Sequence, residues 1–306
     1  MTVTIQGNDR YANSLLASGR VKVEGFDVRF QTPIPSVAAV FNEFLHDLRY
    51  DAVDLPLANY IIARDLSTPV TAVPVFPTMF FPLFGPMVNR QAGIRAVDDL
   101  VGKRVGVQGF GFNPATWLRS IFVHQYDLPI ERITWVEGEP NSLSNVPYGR
   151  SRRFTIEKSE NLMHRLEAGS LDAVILADGG VEPTATIDRL FAEPWAEIRA
   201  FYAATGVFPI NATLVLRNDV LQANPGLDHA LVAAYDQAWS EYVGLAAEDD
   251  QHMGLSIGEL KQLRLFPPRQ GFAANRKSIA WMIHACYEQG LIKRLWEPED
   301  LFPPLG

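Results

Sequence analysis

Two carboxylates stand where a parallel sheet would present them to a ligand. Glu137 closes the apolar run ITWVE and Asp178 follows LDAVILA, so each falls at the end of a predicted strand. A carboxyl group in such a place serves as a general acid or base if burial shifts its hold on the proton; otherwise it is an ordinary solvated acid. Between them in type lies GVQGFGFNP, residues 106–114. Its glycines lack both dinucleotide and P-loop spacing. Backbone N–H groups ahead of a helix beginning near Ala115, with Asn113 as its cap, offer a cradle for a carboxylate, and Phe110 and Asn113 become candidate ligand contacts. A tight turn alone explains the same glycines.

Other chemistries drop out. The six histidines are scattered through helical patterns, with no HExxH, HxH or CxxC spacing, so no metal centre and no cofactor are expected. There is no GxSxG elbow, and the single cysteine, Cys286, lies in a helical pattern and leaves no internal disulfide. The formal charge of −8 argues against nucleic acid, and the one basic cluster, Arg150-Ser151-Arg152-Arg153, reads as part of a solvated loop. The chain has neither an uninterrupted membrane-spanning apolar run nor the n- and h-regions of a leader near its start. A cytoplasmic protein binding a small molecule, without membrane or nucleic-acid partner, is the expectation.

The elements that must position these residues alternate. Strands are predicted over residues 2–6, 26–31, 51–55, 104–108, 133–137, 171–176 and 210–216, with helices over 10–17, 35–48, 57–64, 115–126 and 157–168. Residues 186–191 and 194–204 read as helical, and residues 218–289 as a mostly helical C-terminal part. The stretch VPVFPTMFFPLFGPMVN, residues 73–89, is apolar but carries four prolines. It reads as a strand ending near Phe76, a rigid apolar turn, and a second extended piece. Strand–helix alternation implies parallel sheets covered on both faces, with ligands beyond the carboxyl ends of the strands. We expect an α/β protein of two lobes, residues 1–90 plus 212–306 and residues 91–211, with the ligand in a cleft between them. The aromatics Trp239, Tyr242, Trp281, Tyr287 and Trp296 either cover the first lobe or form a homodimer interface.

Eight segments in order along the chain resemble the 4,5-dihydroxyphthalate decarboxylase family: GNDRY (7–11), YDAVDLPLANY (50–60), AVPVFPT (72–78), DDLVGKRVGV (98–107), WVEGEP (135–140), FYAATGVFPI (201–210), GFAANR (271–276) and YEQGL (287–291). VFPT, TGVFPI and FAANR are the more specific of these; DLVGKRVGV-like strings are common to the binding-protein superfamily. The resemblance implies a type II periplasmic-binding-protein-like fold and cofactor-free decarboxylation of a hydroxylated aromatic acid. It also implies a site of Arg10 as carboxylate anchor, with Asn8, Asn59, Thr78 and Asn211 as polar contacts. Phe76, Met79, Phe80 and Phe208 would line its wall, and Glu137 or Asp178 would transfer the proton.

Departures from the family pattern cluster at polar positions. Where the family continues VFPS with an arginine and then an Arg-His pair, this chain has Met79, Pro82 and Leu83. Where FPI is followed by Met-His, it has Asn211 and Ala212, and after GN it has Asp9-Arg10-Tyr11 and then Ala12-Asn13. Exchange of cationic and acid–base groups for apolar or neutral ones points to a less anionic, more hydrophobic acid. A non-catalytic binding protein and a different lyase or isomerase on the same fold are the alternatives.

Overall fold

The computed structural model describes residues 2–32, 37–138, 153–177 and 181–303. The chain divides into two compact units: Met1–Phe80 with Ile210–Ile283 and Arg294–Gly306, and Phe81–Pro209 with His284–Lys293. The first crossing thus falls at Phe80, not after residue 90. The reason lies in strand pairing, because Pro86–Asn89 joins the sheet of the second unit.

In the first unit the strands are β1 (Val3–Gln6), β2 (Val28–Gln31), β3 (Ala52–Pro56), β4 (Val70–Met79) and β11 (Ile210–Arg217). They are ordered β2-β1-β3-β11-β4, and β1 runs parallel to both of its neighbours. β11 is antiparallel to β3 and β4, so the sheet is mixed rather than parallel throughout: this strand returns from the second unit and enters against the direction of the others. Val3, Ile5, Val53, Leu55 and Leu214 are fully buried in it.

β4 continues past Phe76 to Met79 despite Pro74 and Pro77. It can do so because it is an edge strand, where a missing donor need not break a ladder on both sides. Two register shifts in β11 accommodate the prolines, and the Thr213 hydroxyl lies 3.1 Å from the carbonyls of both Val73 and Val75. On the outer side Gln270 substitutes for a neighbouring strand, accepting from Phe76 N–H at 2.6 Å and donating to Phe76 O at 3.2 Å. The last residue of TGVFPI, Ile210, thus opens a bulged ladder in which it faces Met79 and Ala212 faces Thr78 of VFPT. Trp239 is buried against Tyr242, His252 and Phe266, and Trp296 donates to Asp65, so these aromatics cover their own unit; Tyr287 is exposed.

The second unit holds β5 (Pro86–Asn89), β6 (Arg104–Val107), β7 (Thr134–Glu137), β8 (Thr155–Lys158), β9 (Ala173–Ile175) and β10 (Ile187–Arg189), ordered β10-β5-β9-β6-β7-β8. β6, β7, β8 and β9 are parallel, while β5 runs antiparallel to both of its neighbours, β9 and β10. Two sequence expectations fail here. Residues 187–189 form a strand instead of a helix, because they pair with β5; residues 155–158 form β8, and the following helix is only Leu162–Glu167. In both places a helical apolar pattern was short enough for sheet pairing to override it. One core cluster here is Met87, Val136, Leu166, Leu171, Val174 and Ile187.

Phe81 stacks on Phe208 at 5.1 Å and meets Phe201 edge-on, so the second half of the proline-broken stretch is core of this unit. Gly85 is essential to its turn: a Cβ there would sit 2.4 Å from Leu176 O, which is backbone and cannot swing away. Gly85→Ala should therefore destabilise the second unit by about 1–3 kcal/mol, as overpacking does. Native-state hydrogen exchange of the β5 and β9 amides measures this; unchanged protection would contradict the close approach.

Candidate functional site

Each unit presents one constellation at the carboxyl ends of its parallel strands. In the first unit β1 ends at Gln6, and Gly7 and Asn8 turn the chain over the side chain of Asp54 from β3. Asp54 is buried, although it lies in the otherwise apolar AVDLP. Its Oδ2 accepts from Asn8 N at 3.4 Å, Asn8 Nδ2 at 3.2 Å and Asn13 Nδ2 at 3.0 Å. Gly7 permits this approach, since a Cβ at that position would come within 2.9 Å of the same oxygen. Burial pushes the Asp54 carboxyl up to about 7, with the Asn8 and Asn13 donors pulling the other way. Oδ1 of Asp54, Oδ1 of Asn13 and the Tyr235 hydroxyl are buried with no hydrogen-bond partner among the described residues. Burial, and then the charge of Asp54, raise the Tyr235 phenol well above its ordinary value.

Beyond this cluster the turn carries Arg10 outward. Asn8 Oδ1 accepts from Arg10 N–H at 3.0 Å, and the Arg10 side chain is exposed. Tyr11 follows with φ 55° and ψ −137°, a strained backbone for a residue with a Cβ. Its hydroxyl accepts from Met253 N–H at 2.8 Å and its ring lies 4.4 Å from that of His252. His252 is fully buried, and burial lowers its pKa to about 4. It is therefore neutral, and Nε2, 3.0 Å from Met79 O, must carry the proton and donate.

The remaining sequence candidates of this unit divide. Asn211 Nδ2 donates to Thr78 Oγ1 at 3.4 Å, so β4 and β11 bring that pair together. Asn59 is buried in the helix Leu57–Asp65 that follows β3. Phe76 is fully buried and packs on Phe302 at 5.9 Å, which gives it a core role rather than an exposed wall. Met79 and Phe80 are buried as well.

In the second unit the constellation is built around the loop after β6. Glu137, at the end of β7, is buried, and its Oε1 accepts from Phe110 N–H at 2.9 Å. Below the loop lies Arg119, fully buried in the helix Asn113–Tyr126. Its guanidinium donates to Phe110 O and, at 2.6 Å, to Gln289 Oε1; it stacks 4.1 Å from the Phe110 ring and 5.1 Å from that of Trp135. Burial pulls the Arg119 pKa down, and Cys286 and Glu137 oppose that; a guanidinium starts so high that it stays charged at neutral pH. Gln289 Nε2 also donates to Thr116 O at 2.9 Å. Phe110 packs against Phe154 at 5.1 Å.

Asn113 proves to be the first helical residue, not the cap: Phe112 occupies that place and makes no side-chain cap bond. Proline at residue 114 favours this earlier start. Phe208 stacks on Phe81. Asp178, like residues 139–152 with most of the basic cluster, lies outside the described residues.

Sequence reading missed Asp54, Asn13, Arg119, Gln289 and His252. Asp54 did leave a signal, a lone carboxylate between Val53 and Leu55 in a buried strand. Arg119 left none, because one arginine in a helical pattern is unremarkable. Among the described residues no group of acidic, histidine or cysteine side chains is arranged to hold a metal ion, and no helix is long and apolar enough to cross a membrane.

No protein-family model matches the chain. A 4,5-dihydroxyphthalate decarboxylase of Comamonas testosteroni is 27% identical over 322 residues, covering 94% of this chain and 92% of the relative. A second protein of that name, from Pseudomonas putida, is 31% identical over 167 residues, covering 52% of this chain and 64% of its own length. Among solved structures, the periplasmic aliphatic sulphonate binding protein of Escherichia coli superposes with a TM-score of 0.59 at 15% identity, covering 98% of this chain and 97% of its own. The chain is thus a sequence relative of 4,5-dihydroxyphthalate decarboxylases, built on the periplasmic-binding-protein-like α/β fold.

Proposed function

We propose that the protein is a cofactor-independent lyase that decarboxylates a hydroxylated aromatic, or related hydrophobic, carboxylic acid. One observation carries this reading: the similarity to a protein named as a decarboxylase extends over 94% of the chain. In such a reaction a ring hydroxyl ortho or para to the carboxylate lets the ring take a proton at the carbon bearing that group. The C–C bond then breaks, its electron pair restores aromaticity, and CO₂ leaves. The protein must supply an anchor for the acid, polar contacts for the hydroxyls, a proton source and shelter from water.

Arg10 is the anchor in this reading, with Asn8, Asn59 and the Thr78–Asn211 pair as polar contacts. Phe110, Met79 and Phe80 supply apolar surroundings, and a carboxyl group at a strand end, Glu137 or Asp178, handles the proton. A cytoplasmic setting suits a chain whose one cysteine is buried and has no second cysteine in the chain to form a disulfide with. Arg10→Ala should weaken binding of a hydroxybenzoate by about 1.5–3 kcal/mol, the worth of a charged hydrogen bond. Calorimetric titration checks this, and an unchanged affinity would remove Arg10 from the site.

A second reading, a non-catalytic binder, is favoured by Met79, Leu83 and Ala212, all buried where the resembling family carries polar groups. Incubation with a panel of hydroxybenzoates and hydroxyphthalates, with CO₂ release followed, separates the two. Release from any member supports the lyase. Binding of several without turnover of any would favour the binder.

A further inference from the structure

We propose that Asp54 is a positioning residue for Arg10, acting through Asn8, in a turn that is tethered at both ends to hold one exposed cation at the carboxyl end of β1. The inference rests on the reading of Arg10 as the acid anchor and adds to it a reason why the anchor is held in place.

The inner tether is Asp54. One oxygen of a buried carboxyl group takes donors from both the main chain and the side chain of Asn8, and a further donor from Asn13. Asn8 in turn uses its own Oδ1 to take the N–H of Arg10, so the arginine backbone is two hydrogen bonds from a buried strand. The outer tether is Tyr11, fixed by its hydroxyl to Met253 N–H and by its ring to His252. Between the tethers the backbone is forced into the Tyr11 conformation at φ 55°, ψ −137°. Such strain of a residue with a Cβ persists only where the surroundings over-determine it, and it collects at ligand sites. The Arg10 guanidinium itself makes no hydrogen bond or ion pair among the described residues. The turn thus fixes the main chain of a residue, whose carbonyl also takes the N–H of Asn13 at 3.1 Å, while its guanidinium gives nothing back to the fold.

Pre-organisation predicts coupling. If Asp54 acts on the ligand chiefly by holding Arg10, its removal should matter mostly while Arg10 is present. The experiment has two arms. In the ligand-free arm, amide exchange of Asn8 and Arg10 is compared in wild type, Asp54→Asn, Asp54→Ala and Asn8→Ala. Asp54→Ala and Asn8→Ala should speed exchange about tenfold, as loss of a hydrogen bond does. Asp54→Asn, whose carbonyl oxygen can still accept the three donors, should stay near wild type. In the second arm, 4-hydroxybenzoate affinity is measured for the same proteins with and without Arg10→Ala. Asp54→Ala should lose roughly tenfold with Arg10 present and clearly less in the Arg10→Ala background, where only the Asn8 contact is left to disturb, while Asp54→Asn retains wild-type affinity.

Equal losses in both backgrounds, or unchanged exchange in Asp54→Ala and Asn8→Ala, would overturn the proposal. If Arg10→Ala alone leaves affinity unchanged, the anchor reading fails instead; the exchange arm then still decides whether Asp54 holds the turn. Asn8→Ala keeps the test decisive if Asp54→Ala does not fold, because Asn8 is only half-buried.

Discussion

Asp54→Asn should make the first unit more stable than wild type at pH 8, while the two proteins should be nearly alike at pH 4. The native state raises the Asp54 carboxyl from 3.8 to about 7, chiefly by burial. Between those values the native state binds this proton and the unfolded chain does not, so stability falls as pH rises through the window. At about 1.4 kcal/mol per pH unit, the total is on the order of 4 kcal/mol once pH exceeds 7. Asparagine resembles the protonated acid at every pH and does not incur that loss. His252 acts in the opposite sense: its pKa is lowered to about 4, so its contribution is complete above the ordinary histidine value and is lost as pH falls. Because His252 is present in both proteins, it cancels from the difference between them. Protection of the β1 and β3 amides at pH 4 and pH 8 is the measurement. A difference between variant and wild type that does not grow with pH would mean that the carboxyl is not held in its protonated form.

This behaviour could be foreseen from the sequence only in part. The residues that turn β1 over Asp54 lie in GNDRY and YDAVDLPLANY, two of the segments that carry the family resemblance, and that resemblance points to Asn8 and Arg10 but not to Asp54. Asp54 sits inside an apolar strand, where strand periodicity leaves the direction of a single side chain open. Which oxygen it shows to Asn8 depends on the register of β1 against β3, and that is a tertiary fact. The same holds at the other sheet. Glu137 was legible as a strand-end carboxylate, but its attachment to Phe110 N–H requires the β6–β7 pairing to place the two side by side. The alternation of strands and helices was legible from apolar spacing alone. The reversed strands β5 and β11 were not, since nothing local in a strand records the direction from which the chain enters its sheet. The proline-broken stretch shows the limit most clearly. Its prolines announced an edge or a break, and the edge was realised because Gln270, far along the chain, takes the place of a missing neighbour.

Arg119→Met should cost the second unit about 3–5 kcal/mol, the range for removing one partner of a buried charged network. Methionine fills a similar volume, so the loss is not chiefly a cavity. It strands Phe110 O and Gln289 Oε1 without their donors and leaves Glu137 without the nearby positive charge. The aromatic pair Phe110 and Trp135 also loses the guanidinium stacked on it. Arg119→Lys keeps a charge but not the planar fork that reaches Phe110 O and Gln289 together, so it should recover only a fraction. Adding Glu137→Gln to Arg119→Met should recover part of the loss, because it removes the carboxylate left behind. Amide exchange of the Phe110–Phe112 loop and of β7 reads the effect, with Arg10→Ala as a control that should leave these amides untouched. A loss below about 1 kcal/mol would mean that the guanidinium gains little beyond its desolvation, as some buried ion pairs do. The result also bears on Glu137. If the double variant regains stability but loses turnover that Arg119→Met alone retains, Glu137 has a part in the chemistry beyond holding the loop. If turnover follows loop protection across all of these variants, its part is to hold Phe110.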